Sequence, residues 1–247
     1  HPTLLKSSQI LSASVNNHFW LGGLSQFDYA VNDKWNIAAG LYYRYYSGEH
    51  YTEVIDLLGG DYFVNEADLN SGTSMKVVGD KIAREDRPYQ NHRDGLVQWA
   101  GGFGQAEYSE GRWTAFANLS VVTNFYKGID YFRKKQLSIG DTTLEIGNND
   151  TILYNGQIYD INSDGLEYNQ TDWVKRFGAT FKVGANFNVT ESSNIFINLG
   201  YLSRTPQHAN VINNNRNQVF DNLVNEKIIA TELGYGYRSK KLSMNVN

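Results

Sequence analysis

Apolar and polar side chains alternate over one unusually long stretch of this chain. From Trp173 to Val189, eight of the nine odd-numbered residues are apolar, but only one of the eight even-numbered residues is. A period of two residues is typical of a β-strand with one apolar and one polar face. Soluble strands have about 5–6 residues, whereas a tilted strand needs about 9–11 to cross a bilayer. The pattern therefore predicts a membrane-spanning strand.

The same alternation recurs along the chain and predicts an all-β fold of about eight strands. Short polar turns alternate with long connections, so in an antiparallel up-and-down sheet every long connection lies at the same end. The strands are predicted near 14–30, 35–47, 93–109, 112–127, 173–189, 193–204, 227–238 and 241–247, with long loops at about 48–92, 128–172 and 205–226.

Aromatic residues, which make up 14% of the chain, concentrate at both ends of the predicted apolar faces. Membrane proteins carry such residues where they meet the two lipid–water boundaries. Two bands of this kind favour a transmembrane sheet over a soluble sandwich. The bands are Tyr29, Trp35, Tyr108, Trp113 and Phe187 beside the short turns, and Tyr43, Tyr45, Phe125, Trp173 and Tyr201 toward the long loops.

A sheet in lipid has to close, because backbone groups left unpaired there are costly. The strands form either a small barrel or an arc of a larger one. Small barrels are filled by side chains, whereas polar faces rich in Gly and Asn, together with long loops, favour a wide lumen. We expect residues 1–247 to be a partial transmembrane antiparallel β-barrel domain, without its final strands.

The composition argues against several other classes of protein. The 247 residues include no cysteine, so a disulfide scaffold, a thiolate zinc site and a cysteine nucleophile are excluded. Lys and Arg number 22 against 26 acidic residues, a net charge of −4 that provides no basic surface for nucleic acid. The five histidines show no metal-ligand spacing, and no catalytic arrangement is evident. We predict that the chain is not an enzyme.

Three segments resemble barrel strands of the TonB-dependent outer-membrane receptors. Residues 225–238 (NEKIIATELGYGYR) resemble a late-barrel strand with the pattern NEK…ELGY. Residues 194–206 (NIFINLGYLSRTP) resemble the strand before it, and residues 103–108 (FGQAEY) resemble another barrel strand. The Asn- and Tyr-rich style, with few Cys and Pro, is similar to receptors of the Bacteroidetes.

This resemblance implies an N-terminal plug domain inside a barrel of about 22 strands in the bacterial outer membrane. Such receptors import a scarce ligand (a siderophore, cobalamin, a glycan or a peptide) that the extracellular loops capture. The implied partners are the lipid bilayer, the plug, the TonB complex and an extracellular lipoprotein lid. The alternatives are a passive porin, a small structural barrel such as an adhesin, and a soluble carbohydrate-binding module.

The densest aromatic cluster, residues 42–46, supplies candidate ligand-binding residues. Tyr side chains can stack on a ligand, and Arg can bind a carboxylate or a phosphate. The competing interpretation assigns these residues to the aromatic band and to contacts with the plug. Arg204, at the exit of its strand, either faces the ligand or pairs with a loop carboxylate. The candidates are Tyr42, Arg44, Tyr46, His50, Tyr51 and Arg204.

Two further groups of polar residues are candidates for binding. One shares the polar strand faces near the short turns, where its members contact the plug or are solvated in the lumen: Gln26, Asp28, Gln105, Glu107, Glu232 and Arg238. The other group matches the first positions of a calcium-binding loop, with Asp160, Asn162 and Asp164 at positions 1, 3 and 5. Thr171 replaces the bidentate Glu of position 12, so an Asx-rich turn competes with calcium binding.

The face assignment predicts the effect of a charge on β-strand 173–189. Phe181 is assigned to the lipid face and Thr180 to the polar face. Phe181→Arg should impair barrel assembly in an outer-membrane assembly assay, because a cation on the lipid face at the midplane costs about 2–4 kcal/mol. Thr180→Arg should assemble normally, and equal effects of the two substitutions would refute the assignment.

Overall fold

The computed structural model describes residues 3–84 and 92–247, and most of these residues form one antiparallel sheet. Eight long strands follow one another across this sheet in chain order. Among the described residues, the first strand pairs only with the second and the last only with the seventh, so both edges are open. The strands are β1 (Leu11–Ala30), β2 (Trp35–Asp56), β3 (Arg93–Glu110), β4 (Trp113–Asp130), β5 (Val174–Thr190), β6 (Ser193–Arg204), β7 (Glu226–Arg238) and β8 (Ser243–Val246).

The predicted all-β, up-and-down arrangement is confirmed, but some predicted boundaries are wrong. β2 continues to Asp56, so residues 48–56 belong to a strand and not to the predicted loop. β2 continues because β1 pairs with it as far as Asp56. On the other side, Thr52 and Glu53 pair with the short strand Lys81–Ile82. The final strand is shorter than the predicted 241–247.

The two faces of the sheet differ as the two-residue period predicts. One face exposes large apolar side chains; Leu41 is 69% exposed and Ile229 is 81% exposed. Cross-strand pairing aligns the aromatic residues into bands on this face, where the rings of Trp35 and Tyr108 lie 4.9 Å apart. A contiguous apolar surface of this extent indicates contact with an apolar partner or with lipid.

On the polar face, aromatic rings lie across glycines of the neighbouring strand. The absent side chain makes room for the ring, because a Cβ at any of these glycines would come within 3.0 Å of ring atoms. This close approach explains why polar-face positions are rich in glycine. The pairs are Tyr42–Gly101, Phe103–Gly40, Phe116–Gly184 and Phe196–Gly234.

The long connections contain short strands and one 3₁₀ turn. The connection from β6 to β7, residues 205–225, folds back onto the polar face of the sheet. We call this connection the inner loop. In the part of the chain that the structure describes, the short elements are the pairs Phe63–Val64 with Met75–Lys76, Lys135–Ile139 with Thr142–Ile146, Ile152–Tyr154 with Gln157–Tyr159 and Ile212–Asn213 with Gln218–Val219, the strands Lys81–Ile82 and Asn169–Gln170, and the turn His208–Asn210. No helix in the described ranges is long and apolar enough to cross a membrane.

The inner loop is anchored by apolar packing and by hydrogen bonds. Val211 and Ile212 are fully buried against Val97 of β3 and Tyr126 of β4. The Tyr126 hydroxyl donates to the Pro206 carbonyl at 2.6 Å. Each buried aliphatic side chain of this size contributes about 1.5–3 kcal/mol, so the inner loop is held as a fixed part of the polar face.

The glycine–aromatic pairs predict that an added methyl group destabilises the protein at a glycine that faces a ring, and not at a glycine with open space around it. Gly234→Ala should destabilise the folded full-length protein by about 1–3 kcal/mol, because Phe196 has to leave its position. Gly23→Ala is the matched control, since a Cβ there meets no atom within 4 Å. The measurement is the unfolding free energy in detergent, and equal values for the two variants would contradict the packing explanation.

Candidate functional site

Aromatic side chains from three neighbouring strands lie together on the polar face. Trp20 of β1 stacks on Trp99 of β3, with ring centroids 5.7 Å apart and planes inclined by 4°. Tyr46 of β2 packs against Trp20 at 4.8 Å. Trp20 nevertheless remains 59% exposed, so this cluster presents a stacking surface to the solvent. We define the aromatic ledge as Trp20, Tyr42, Arg44, Tyr46 and Trp99.

Glycines of the flanking strands leave room for two members of the aromatic ledge. Arg44 lies opposite Gly22 of β1, where a Cβ would come 3.1 Å from the Arg44 Cγ. Tyr42 lies over Gly101 of β3. Among the described residues, the exposed Arg44 guanidinium makes no ion pair or hydrogen bond, so its donors are available to an anionic group.

The inner loop supports the aromatic ledge from one side. Tyr46 and Trp99 pack against the buried cluster that includes Val211 and Ile212. Their rings are therefore held in place by tertiary contacts. The predicted Tyr42, Arg44 and Tyr46 do share one face, as the alternation implied.

His50 and Tyr51, predicted as neighbours in one site, lie on opposite faces of β2. His50 lies on the polar face beside His18 of β1, with ring centroids 5.8 Å apart. The Tyr51 ring instead contacts Lys81, whose Nζ lies 4.1 Å from the ring centroid. Adjacent residues of a strand point in opposite directions, so Tyr51 does not join the aromatic ledge.

A charged cluster surrounds Tyr51 on that opposite face. Ligand atoms of Glu49, His92 and Asp94 lie within 4.8 Å of one another, a spacing that could hold a metal ion. The Lys81 Nζ, however, lies 2.7 Å from Glu49 Oε1 and 3.0 Å from His92 Nε2. The Lys81 ammonium group therefore already supplies the positive charge that a metal ion would bring to this cluster. Burial lowers the pKa of His92, and burial together with a hydrogen bond to Asp94 raises the pKa of Tyr131.

Arg204 pairs with a carboxylate, one of its two predicted alternatives. Its guanidinium forms an ion pair with Glu226, the residue directly opposite it on β7. Both side chains are substantially exposed, so the pair contributes little stability. It does satisfy the Arg204 charge, which makes Arg44 the stronger anion-binding candidate.

The predicted polar residues near the short turns form local hydrogen bonds along the polar face. The Gln26 amide donates to Asp28 at 3.1 Å, and the Gln105 amide donates to Glu107 at 2.5 Å. Asn118 of β4 donates to Gln105 at 3.2 Å and joins the second pair to its neighbouring strand. We call these five residues (Gln26, Asp28, Gln105, Glu107 and Asn118) the polar belt. Its carboxylates are accessible.

Glu232 extends the polar belt, but Arg238 does not. Glu232 accepts hydrogen bonds from Asn198 at 2.9 Å and from Asn247 at 2.5 Å. Arg238 lies exposed at the end of β7, and within the described ranges it forms no ion pair. The predicted participation of Arg238 in this polar network is therefore not found among the described residues.

The calcium candidate adopts an Asx turn. The Asn162 backbone N–H donates to the Asp160 carboxylate at 2.8 Å, while Asp164 is exposed. Thr171 is buried elsewhere, where its hydroxyl accepts a hydrogen bond from the Gly128 N–H at 3.1 Å. In the structure these residues form a hydrogen-bonded turn. Calcium binding by them stays a prediction.

Three residues of the site escaped the sequence analysis: His18, Trp20 and Trp99. Each shares its strand parity with a residue already assigned to the polar face, such as Gln26 on β1 or Gln105 on β3. The parity rule could have placed them on that face. It could not have shown that Trp20 and Trp99 stack across β2, because this depends on the register of three strands.

The burial of His208 predicts a pH-dependent release of the inner loop. Burial lowers the pKa of His208 below 6.5, a hydrogen bond to the Lys127 carbonyl opposes this shift, and Arg93 adds to it. The released loop therefore takes up a proton first, and the packed loop loses stability as the pH falls below 6.5. Amide hydrogen exchange of residues 205–225 should accelerate between about pH 7.5 and about pH 5.5, after correction for intrinsic rates.

His208→Gln is the control for this experiment, because Gln can donate to the same carbonyl but does not titrate. Its inner loop should show no acceleration of exchange over the same pH range. Equal acceleration in both proteins would rule out His208 as the titrating group.

Comparisons with known proteins support the fold assignment alone. No protein-family model matches the chain, and no curated protein sequence matches it. Among solved structures, the chain is similar to the copper transporter OprC, with a TM-score of 0.55 and 15% sequence identity. The likeness covers 94% of this chain but only 30% of the OprC chain. The sheet of this protein is thus similar in fold to less than a third of a known transporter.

Proposed function

We propose that this chain is part of the wall of an outer-membrane transporter of the TonB-dependent type. The observation that carries the proposal is the two-faced sheet, with a broad exposed apolar face opposite a polar face across eight antiparallel strands. In a membrane the apolar face contacts lipid, and the polar face lines an aqueous lumen. The similarity in fold to part of a transporter supports this proposal.

The open edges favour an arc of a larger barrel over a complete small one. Unpaired edge strands are not tolerated in lipid, so β1 and β8 need further strands as neighbours. A barrel of about 22 strands agrees with the resemblance of residues 194–206 and 225–238 to barrel strands of receptors. The chain also spans only 30% of the OprC structure.

The aromatic ledge is the proposed ligand-contact surface of this transporter. Trp20 and Trp99 offer stacking faces, and Arg44 offers hydrogen-bond donors to a carboxylate or a phosphate. A siderophore, cobalamin, a glycan or a peptide can present such groups. The long connections, on the proposed extracellular side, would first capture the ligand.

The polar belt is the proposed contact surface for a plug domain. Its carboxylates Asp28, Glu107 and Glu232 lie on the face that would line the lumen. The TonB complex and an extracellular lipoprotein lid complete the set of proposed partners. Calcium bound by Asp160, Asn162 and Asp164 in a long connection is a further proposal.

The location is tested with the full-length protein in its native host. The protein should fractionate with the outer membrane, require detergent for extraction, and migrate as a compact band on gels unless it is boiled. Extraction in buffer without detergent would overturn the membrane proposal and favour the soluble carbohydrate-binding alternative.

The transport mode is tested by swelling of liposomes that contain the full-length protein. A plug-gated receptor should leave arabinose-loaded liposomes unswollen, because its lumen is closed at rest. A porin of known activity serves as the positive control. Rapid constitutive swelling would contradict gating and favour the passive porin.

A further inference from the structure

Two histidines on neighbouring strands lie together at the end of the aromatic ledge. His18 of β1 and His50 of β2 are both on the polar face, with ring centroids 5.8 Å apart and ring planes inclined by 77°. In the β1–β2 register, His18 is opposite Gly48 and His50 is opposite Asn16. The two side chains are therefore brought together by strand pairing and not by a sequence motif.

Hydrogen bonds orient both imidazole rings through their Nδ1 atoms. The His50 Nδ1 lies 2.5 Å from the Asn16 Oδ1, and an amide oxygen only accepts, so the Nδ1–H donates. The His18 Nδ1 lies 2.7 Å from the Tyr46 hydroxyl oxygen, which can accept in the same way. Metal-binding histidines are typically held like this, with the second ring nitrogen hydrogen-bonded to a protein oxygen.

The Nε2 atoms of both rings remain available as ligands. Among the described residues, neither Nε2 has a hydrogen-bond partner. Gly48 is packed beside this pair, because a Cβ there would overlap the Tyr46 hydroxyl and lie 3.2 Å from the His50 Nε2. A larger residue at Gly48 would therefore displace both side chains.

The separation of the rings fits a shared metal ion. With metal–nitrogen bonds of about 2.0–2.1 Å, two imidazoles on one ion have ring centroids roughly 5–6 Å apart. The observed 5.8 Å lies in that range. The centroid separation is therefore compatible with one ion bound between the two Nε2 atoms.

The chemistry of the surroundings selects the class of metal ion. Both proposed donor atoms are imidazole nitrogens, whereas Ca²⁺ and Mg²⁺ prefer oxygen ligands, so these two ions are disfavoured. Imidazole nitrogens without sulfur ligands suit divalent first-row transition metals better than Cu⁺.

We propose that His18 and His50 bind a divalent first-row transition-metal ion through their Nε2 atoms, with affinity in the order Cu²⁺, Ni²⁺, Zn²⁺. Water or donor atoms of a bound ligand fill the remaining coordination positions. Asn16 and Tyr46 act as positioning residues. The proposal does not depend on transport activity, so it can fail while the proposed function stands, and the reverse also holds.

Metal binding is tested with the purified full-length protein in detergent. Ni²⁺ binding is measured by calorimetry, and Cu²⁺ binding by electron paramagnetic resonance, which reports nitrogen ligands directly. His18→Asn and His50→Asn should each lower the affinity for Ni²⁺ at least tenfold and remove nitrogen couplings from the Cu²⁺ spectrum. Wild-type affinity and an unchanged spectrum in both variants would overturn the proposal.

His208→Gln, which keeps a donor to the Lys127 carbonyl, is the control for the histidine substitutions. His208 is on the same side of the sheet, but its Nε2 already donates to the Lys127 carbonyl at 3.1 Å. This variant should bind Ni²⁺ and Cu²⁺ as the wild type does. A loss equal to that of His18→Asn would show that the metal binds elsewhere.

The role of Asn16 gives a second, independent test. Asn16→Leu removes the acceptor that orients His50 and should lower the affinity for Ni²⁺ about tenfold or more. Asn16→Asp keeps an acceptor and should retain or increase the affinity. Equal affinity in the Leu and Asp variants, both migrating as compact unboiled bands, would contradict the positioning role.

Discussion

The register of backbone pairing between antiparallel strands is the constraint on which the rest of this structure depends. Each inner strand pairs with a neighbour on both sides, although β8 pairs with β7 only along Tyr235–Arg238, and backbone pairing is the condition for crossing a bilayer. The same register decides which side chains meet across strands. It aligns Trp35 with Tyr108 in an aromatic band, and it places Trp20, Tyr46 and Trp99 side by side in the aromatic ledge.

Close packing on the polar face follows from this register. Several aromatic rings lie over a facing glycine, as Phe196 does over Gly234. The inner loop adds a small buried apolar cluster beside the aromatic ledge, with Val211 and Ile212 held against the sheet. Rigid support of this kind fixes the geometry of exposed aromatic side chains, which the proposed ligand-contact role requires.

Similar residue types have different chemistry on the two faces of β2. On one face, Glu49 and His92 surround the Lys81 ammonium, so the cluster is neutralised from within. On the other face, His50 is oriented by a neutral amide and its Nε2 is left without a partner among the described residues. The tertiary position of Lys81, whose ammonium contacts both Glu49 and His92, separates this structural cluster from the candidate metal site at His18 and His50.

The amino-acid sequence by itself determined the strands, their two faces and the end at which the long connections lie, because a two-residue period and short turns are local properties. It also placed Tyr42, Arg44 and Tyr46 on one face. It could not foresee that β2 continues to Asp56, that Tyr51 leaves the site, or that the inner loop covers the polar face. Only the tertiary structure decided that His18 joins His50, because the two-residue period gives the face of each residue, whereas the partner across the strands depends on the turn and on the register that it sets.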